Sequence, residues 1–426
     1  MSKFKLGLTI VFSAFIIIGV IIFAASKGSG STPAAQITIW GFLPKQSFDQ
    51  FVSATAVGKD KTLVVTYVQE NPASFENDFV NALANGAGPD VVMISQDMVA
   101  QNQNKLLTIP YANYSERTFK DSFVQEGELF LNKNGVVAVP FVIDPLVLYW
   151  NRDIFSSAGV SLPPKYFDEL LTLPSQLSQT DKSGNFTQSA VALGEWGNVR
   201  NAKAIFSDML LSAGSSVVDT TGTTPRSTLT DTTGAISPAE ASLDFYTQFA
   251  NPTKQTYSWN RSLPNSLDYF LSGNLAMYFG FASELATIRA KNPNLNFDVT
   301  AMLQSRQAVK KISFATIYGL AIVKQSKNAS AAFKTITELT TDDSINTLES
   351  YTNLPPVKRS LLATAPTDPY KAVFHQSALV SAGWFDPDGA VTDAMFQNMV
   401  ESVTSGRART SEAVNSANDK MNSLFR

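Results

Sequence analysis

Two hydrophobic periods take turns along most of this chain. Residues 36–40, QITIW, alternate isoleucine with polar positions and end on Trp40 before Gly41, which predicts a strand; residues 63–68 predict a second. Between residues 74 and 86, Phe75, Phe79 and Leu83 recur at four-residue spacing and fall on one helical face. Residues 89–94, PDVVMI, then read as a turn opening a short, continuously apolar strand. Strand, helix and strand at these lengths form a parallel βαβ unit with both sheet faces covered. The alternation continues. Ala202, Ile205, Phe206, Met209 and Leu210 make a helical stripe, and Ser237-Pro238-Ala239-Glu240 caps a helix carrying Leu243, Tyr246 and Phe249. Residues 318–323 predict a strand, Phe333, Ile336 and Leu339 a helix, and Ala413, Ala417, Met421 and Leu424 a last helix with Ser411 as its N-cap. The threonine-rich residues 219–233 predict an exposed hairpin or surface loop, and no internal repeat or heptad is visible.

The amino-terminal segment follows a different rule. Residues 6–25 carry no charge and only Thr9 and Ser13 as polar interruptions. As a helix these twenty residues reach about 30 Å, the thickness of bilayer hydrocarbon. Lys3, Lys5 and the free amino group precede the run and Lys27 follows it, a bias that keeps the terminus in the cytoplasm and exports the rest. The run is longer than the apolar part of most signal peptides, which predicts a single-pass anchor; cleavage near Ala24-Ala25-Ser26, giving a secreted or periplasmic protein, is the alternative. Residues 26–35, SKGSGSTPAA, read as a flexible linker.

Composition narrows the chemistry. With 426 residues, 44% of them hydrophobic, two folded units are expected. The formal charge of −3, without a basic run, argues against a nucleic-acid partner. There is no cysteine, which excludes disulfides, thiol nucleophiles and a lipoprotein anchor, and His375 is the single histidine. Flanked by apolar residues and far from any nucleophile elbow, His375 reads as structural rather than catalytic. No metal or cofactor site and no dinucleotide or P-loop motif is expected. Asp144, Glu195 and Glu284 lie near aromatic residues, a combination that serves a glycosidase or a cleft that only binds sugar.

The string 137–155, VAVPFVIDPLVLYWNRDIF, followed by Ala158-Gly159-Val160, Pro163-Pro164 and Phe167-Asp168-Glu169-Leu170, resembles the signature segment of the extracellular solute-binding protein family 1, the maltose-binding-like receptors of ABC transporters. Residues 87–92, 270–278, 318–322 and the Ser405-Gly406 to Ala413 region resemble further family segments in the same order. The resemblance implies an α/β, periplasmic-binding-protein-like type II fold with two Rossmann-like lobes and an interlobe cleft, behind one N-terminal transmembrane helix. It implies crossings near residues 140–144, 280–283 and 323–329, so that residues 36–141 with 283–325 form lobe one and residues 142–282 with 326–426 form lobe two. It further implies a monomeric, extracytoplasmic receptor that closes on a carbohydrate or other small solute and presents it to permease subunits, without catalysis. A carbohydrate-active hydrolase and a surface sensor or adhesin on the same fold are the alternatives.

Ligand residues are expected where strands end and at the crossings. Trp40 ends the first strand, where it can stack on a sugar or pack in the core; Gln96 and Asp97 follow the 91–94 strand as ligand contacts or helix caps. Asp144 lies at the first crossing, and Phe281 and Glu284 at the second. Glu195 and Trp196 stand between glycines, outside any apolar period, which favours the cleft; Trp259 and Trp384 complete the candidate set.

Overall fold

The computed structural model describes residues 34–232 and 234–425. The expected anchor at residues 6–25 lies outside them. Among the described residues no helix is long and apolar enough to cross a membrane.

Eight strands carry the architecture: β1 (Ala35–Gly41), β2 (Leu63–Gln69), β3 (Val91–Ser95), β4 (Val139–Asn151), β5 (Phe186–Val191), β6 (Leu275–Phe281), β7 (Phe297–Ala301) and β8 (Ser313–Ile322). They form one hydrogen-bonded path, β2-β1-β3-β8-β4-β6-β5, with β7 also on β4. β1 pairs in parallel with β2 and β3, as the βαβ reading expects. The Pro89-Asp90 turn has a physical role here. Asp90 Oδ2 accepts the Thr38 N–H at 3.0 Å and its Oδ1 accepts the Ser326 hydroxyl at 2.6 Å, tying the entry of β3 to β1 and to the segment after β8.

β4 joins two halves of the molecule. Its first part, Val139 to Pro145, pairs antiparallel with β8; its second part, Leu146 to Asn151, lies between β6 and β7. Proline cannot donate to a ladder and marks where pairing shifts. Pro145 sits where β4 changes partners, and Pro140 faces the register shift between Tyr318 and Gly319 of β8.

Helices cover the two halves. They are α1 (Lys45–Ala54), α2 (Phe75–Ala84), α3 (Ala202–Ser212), α4 (Pro238–Thr247), α5 (Glu284–Lys291), α6 (Ala329–Leu339), α7 (Asp342–Thr352), α8 (Pro369–Leu379), α9 (Gly389–Thr404) and α10 (Thr410–Ser423). Phe75 and Phe79 of α2 are fully buried, as their spacing predicts, and Ser237 caps α4 by accepting the Glu240 N–H at 3.1 Å. The threonine-rich stretch opens with a short hairpin, Val218–Asp219 against Arg226–Ser227. The last helix starts after Arg409 rather than at Ser411, with Glu412 accepting the Arg409 N–H.

The packing moves two of the expected crossings. β7 pairs with the second part of β4, so residues 284–301 belong to lobe two and the return to lobe one falls between β7 and β8. α6 packs on β1 and β8, and α7 on α1, so both lie with lobe one; α8 packs on β4 and β7, which places the last crossing near residues 363–368. The single histidine spans this division. His375 on α8 is buried, with Nε2 3.1 Å from Glu349 on α7.

Candidate functional site

The carboxyl ends of β1 and β3 point toward the second half, the place where open α/β sheets bind ligands. Just past β1, the ring of Phe42 packs edge-on against Phe75 at 5.1 Å and tilts toward Tyr318 of β8 at 5.8 Å. Past β3, Asp97 takes a hydrogen bond from Ser95. Asp144, one of only two half-buried residues in the otherwise buried β4, accepts the Ser283 N–H at 2.9 Å from the segment after β6. Residues of both halves thus meet around one carboxylate. The halves also touch at Gly389, where a Cβ would stand 2.9 Å from Asp97 Oδ2.

Desolvation, with the nearby Glu284 charge and against the Ser283 N–H, raises Asp144 to about 7. Burial also raises the Tyr318 hydroxyl, and the charges of Asp144 and Asp97 add to the effect, so the three groups share one neighbourhood. Across the cleft, burial raises Asp386 although Lys203 pairs with it at 2.7 Å, and Asp97 contributes to the rise. Arg200 is likewise engaged, 3.0 Å from Glu284. This neighbourhood therefore offers aromatic faces and carboxyl oxygens, while Lys203 and Arg200 of the second half are already paired with carboxylates. Such a surface accepts hydrogen bonds from hydroxyls and covers the apolar face of a sugar ring.

The structure brings Asp97 and Asp144 together and sets Phe281, half-buried at the end of β6, beside Ser283. The other candidates stand elsewhere. Trp40 is half-buried and packs T-shaped against Phe79, ring centroids 6.5 Å apart, on the side of β1 that α2 covers. Gln96 is buried and brackets β8, donating to Ala315 O at 3.0 Å and accepting the Ile317 N–H at 2.9 Å, so both ends of its amide are engaged by β8. Glu195 is held by Arg261 at 3.2 Å, and Trp196, 6% exposed, packs on Phe206 and Tyr246. Trp259 is wholly buried and donates to Asn198 at 3.0 Å. Trp384 is buried too, donating to Ser207 at 3.0 Å. Glu284 is buried and satisfied by Arg200, Asn201 and the Tyr278 hydroxyl. Trp40 and Gln96 are thus engaged within lobe one, and Glu195, Trp196, Trp259, Glu284 and Trp384 within lobe two.

Residues 44–345, more than half of the chain, match the model of the bacterial extracellular solute-binding protein family. The chain belongs to that family. No curated protein matches this solute-binding protein in sequence. Its fold is similar to that of an ABC substrate-binding protein from Listeria monocytogenes in complex with cycloalternan, at TM-score 0.70 and 17% identity, covering 92% of this chain and 98% of that one. It is also similar to the GacH receptor of Streptomyces glaucescens, at TM-score 0.70 and 18% identity over 92% and 98% of the two chains. A cyclo/maltodextrin-binding protein complexed with maltotetraose gives TM-score 0.73 at 14% identity over 93% and 99%.

In this solute-binding protein, sequence reading did not single out Phe42, Ser283 or Tyr318 as ligand residues. The available signal was positional: Tyr318 is a polar-tipped aromatic that, with Thr316, is half-buried in the otherwise buried β8. Ser283 acts on Asp144 through its backbone N–H as well as its hydroxyl, and a serine after a strand is too common to mark a site by type.

Proposed function

We propose that this chain captures a sugar or small oligosaccharide between its two halves and delivers it to the permease of an ABC importer. Family membership supports capture, and the observation that carries the sugar reading is the Phe42 and Tyr318 pair beside Asp97 and Asp144, with Lys203 and Arg200 already paired with carboxylates. Closure removes water from the rings, and the carboxyls then fix the hydroxyls, so wrong stereochemistry leaves buried groups unpaired. Calorimetric titration with neutral oligosaccharides tests this. Tyr318→Ala should weaken binding about tenfold or more, the scale of a central aromatic contact. Binding of amino acids or peptides, with no saccharide bound, would overturn the sugar assignment. Asp144 near pH 7 is also the acid a hydrolase would use; recovery of the saccharide uncleaved after prolonged incubation separates capture from hydrolysis.

We further propose that residues 6–25 hold the binding part, as a monomer, on the extracytoplasmic face of the membrane. The length of the uncharged run supports this. The full-length protein should stay with membranes through a high-salt wash, and recovery of a soluble form starting near Ser26 would overturn the anchor.

A further inference from the structure

A second cavity, of about 1210 Å³, opens between the turn Gln125–Phe130 of the first half and several segments of the second; it shares no residue with the Phe42 and Tyr318 cleft. Phe167, Phe245, Trp384 and Phe385 line it, together with Glu126, Ser212 and Ser381. The polar residues of this lining are unusual. Eight buried side-chain polar atoms among the described residues have no hydrogen-bond partner, and four of them belong to Glu126, Ser212 and Ser381. Half of the unmet polar demand is thus gathered at one cavity. Glu126 is 2% exposed, neither of its carboxyl oxygens has a partner in hydrogen-bond geometry, and the Ser381 hydroxyl lies beside them. Gly383 closes over it, and a Cβ there would stand 2.6 Å from Glu126 Oε1, so no side chain of the protein fills that space.

A buried carboxylate without a partner is strongly unfavourable, and breaking its pairing is among the costlier changes a fold can suffer. A primary ammonium carries one positive charge and three donors but no acceptor. The two Glu126 oxygens and the neighbouring Ser381 hydroxyl are three acceptors without donors, and aromatic faces attract a cation's charge and cover its carbon chain. We propose that this cavity binds a small organic amine, its ammonium group on Glu126 and Ser381 and its carbon chain against Trp384 and Phe385. In the absence of the amine, burial holds the Glu126 carboxyl well above the ordinary carboxylate range, with Ser381 opposing weakly, so a proton stands in for the cation. Because Glu126 comes from the first half and Trp384 is fastened to α3 of the second, an amine held between them ties the halves together and acts on any movement of one against the other. The inference does not depend on the cleft binding sugar.

The test compares 1,4-diaminobutane with its neutral isostere butane-1,4-diol, at constant ionic strength, in thermal melts of the full-length protein. The diamine should raise the melting temperature saturably and the diol should not. Glu126→Gln preserves the shape but removes the charge and should weaken the apparent affinity at least about tenfold, a loss of one strong contact. Ser381→Ala should weaken it less, whereas Phe42→Ala, in the other cleft, should leave the response intact. An equal response to the diol, an undiminished response in Glu126→Gln, loss of the response in Phe42→Ala, or no saturable response at all would each overturn the proposal.

Discussion

Asp208 on α3 has no exposed surface; its Oδ1 accepts the Phe314 N–H at 2.7 Å while its Oδ2 has no partner. Desolvation, opposed only by that N–H, raises it to about 8. Between the ordinary value of 3.8 and 8 the folded chain keeps a proton that the unfolded chain has released. Its contribution to stability is therefore complete below 3.8 and is lost as pH rises through 8. Asp208→Asn retains the acceptor for Phe314 without the titration, so its melting temperature should fall less steeply than the wild type's between pH 5 and 8.5; parallel curves would contradict this reading. Trp196 shows how sequence context and burial part company, for it packs on Phe206 and Tyr246. Its glycine neighbours and Glu195 looked like an exposed loop, yet Gly194, at φ +94°, is required because a Cβ there would stand 2.6 Å from Ala250 N, and Arg261 neutralises Glu195. Polar neighbours in sequence do not report burial in space. Trp196→Ala should cost about 3–5 kcal/mol of stability and leave sugar affinity of the folded fraction within about twofold, since a side chain packed in the core offers a solute little surface; melts and calorimetry on the same preparation separate the two.

At the scale of elements, the helix and strand periods were legible because burial imposes them directly: Phe75 and Phe79 turn inward together, and Ile37 and Ile39 share one buried face of β1. The pairing of β4 was not. Its apolar run is uniform across both halves, and only Pro140 and Pro145 mark where partners shift. The start of α5 depends on a comparable local fit. Gly280 in β6 lies under the Glu284 network, where a Cβ would stand 2.5 Å from Tyr278 Cε1, 2.6 Å from Glu284 Oε2 and 3.1 Å from Tyr149 Cε2. Those groups cannot yield independently, because the Tyr278 hydroxyl donates to Glu284, which also holds Arg200 and Asn201. Gly280→Ala should therefore cost about 1–3 kcal/mol through overpacking, whereas Gly197→Ala, with nothing within 4 Å of its Cβ, should stay within about 0.5 kcal/mol of wild type. Equal effects in denaturant titrations would show that the network relaxes around the added methyl.

For the whole molecule, two α/β halves were readable from the alternation of periods, but which later segments return to which half is decided by contacts distant in sequence. Residues 323–329 were expected to cross between lobes, yet they are fastened to the first: Val323 N donates to Asp90 O and Lys324 N to Lys105 O, each at 2.9 Å, and Ser326 bonds Asp90. Such a segment moves with its lobe. The connection from β7 to β8 and residues 363–368, largely exposed between α7 and α8, instead carry the chain across. If solute capture closes one half on the other, backbone torsions must change in the segments that join them, while segments fastened within a half move as part of it. Hydrogen exchange with and without a bound oligosaccharide should accordingly change at residues 302–312 and 363–368, and at cleft positions such as Ser283, but not at residues 323–329. The comparison has a built-in control, since residues 323–329 share the first half with the cleft yet lie at the opposite end of β8 from Thr316, which pairs with Asp144. A solute-dependent change confined to residues 323–329 would restore the earlier crossing and require α6 and α7 to move with the second half, against their packing on β1, β8 and α1.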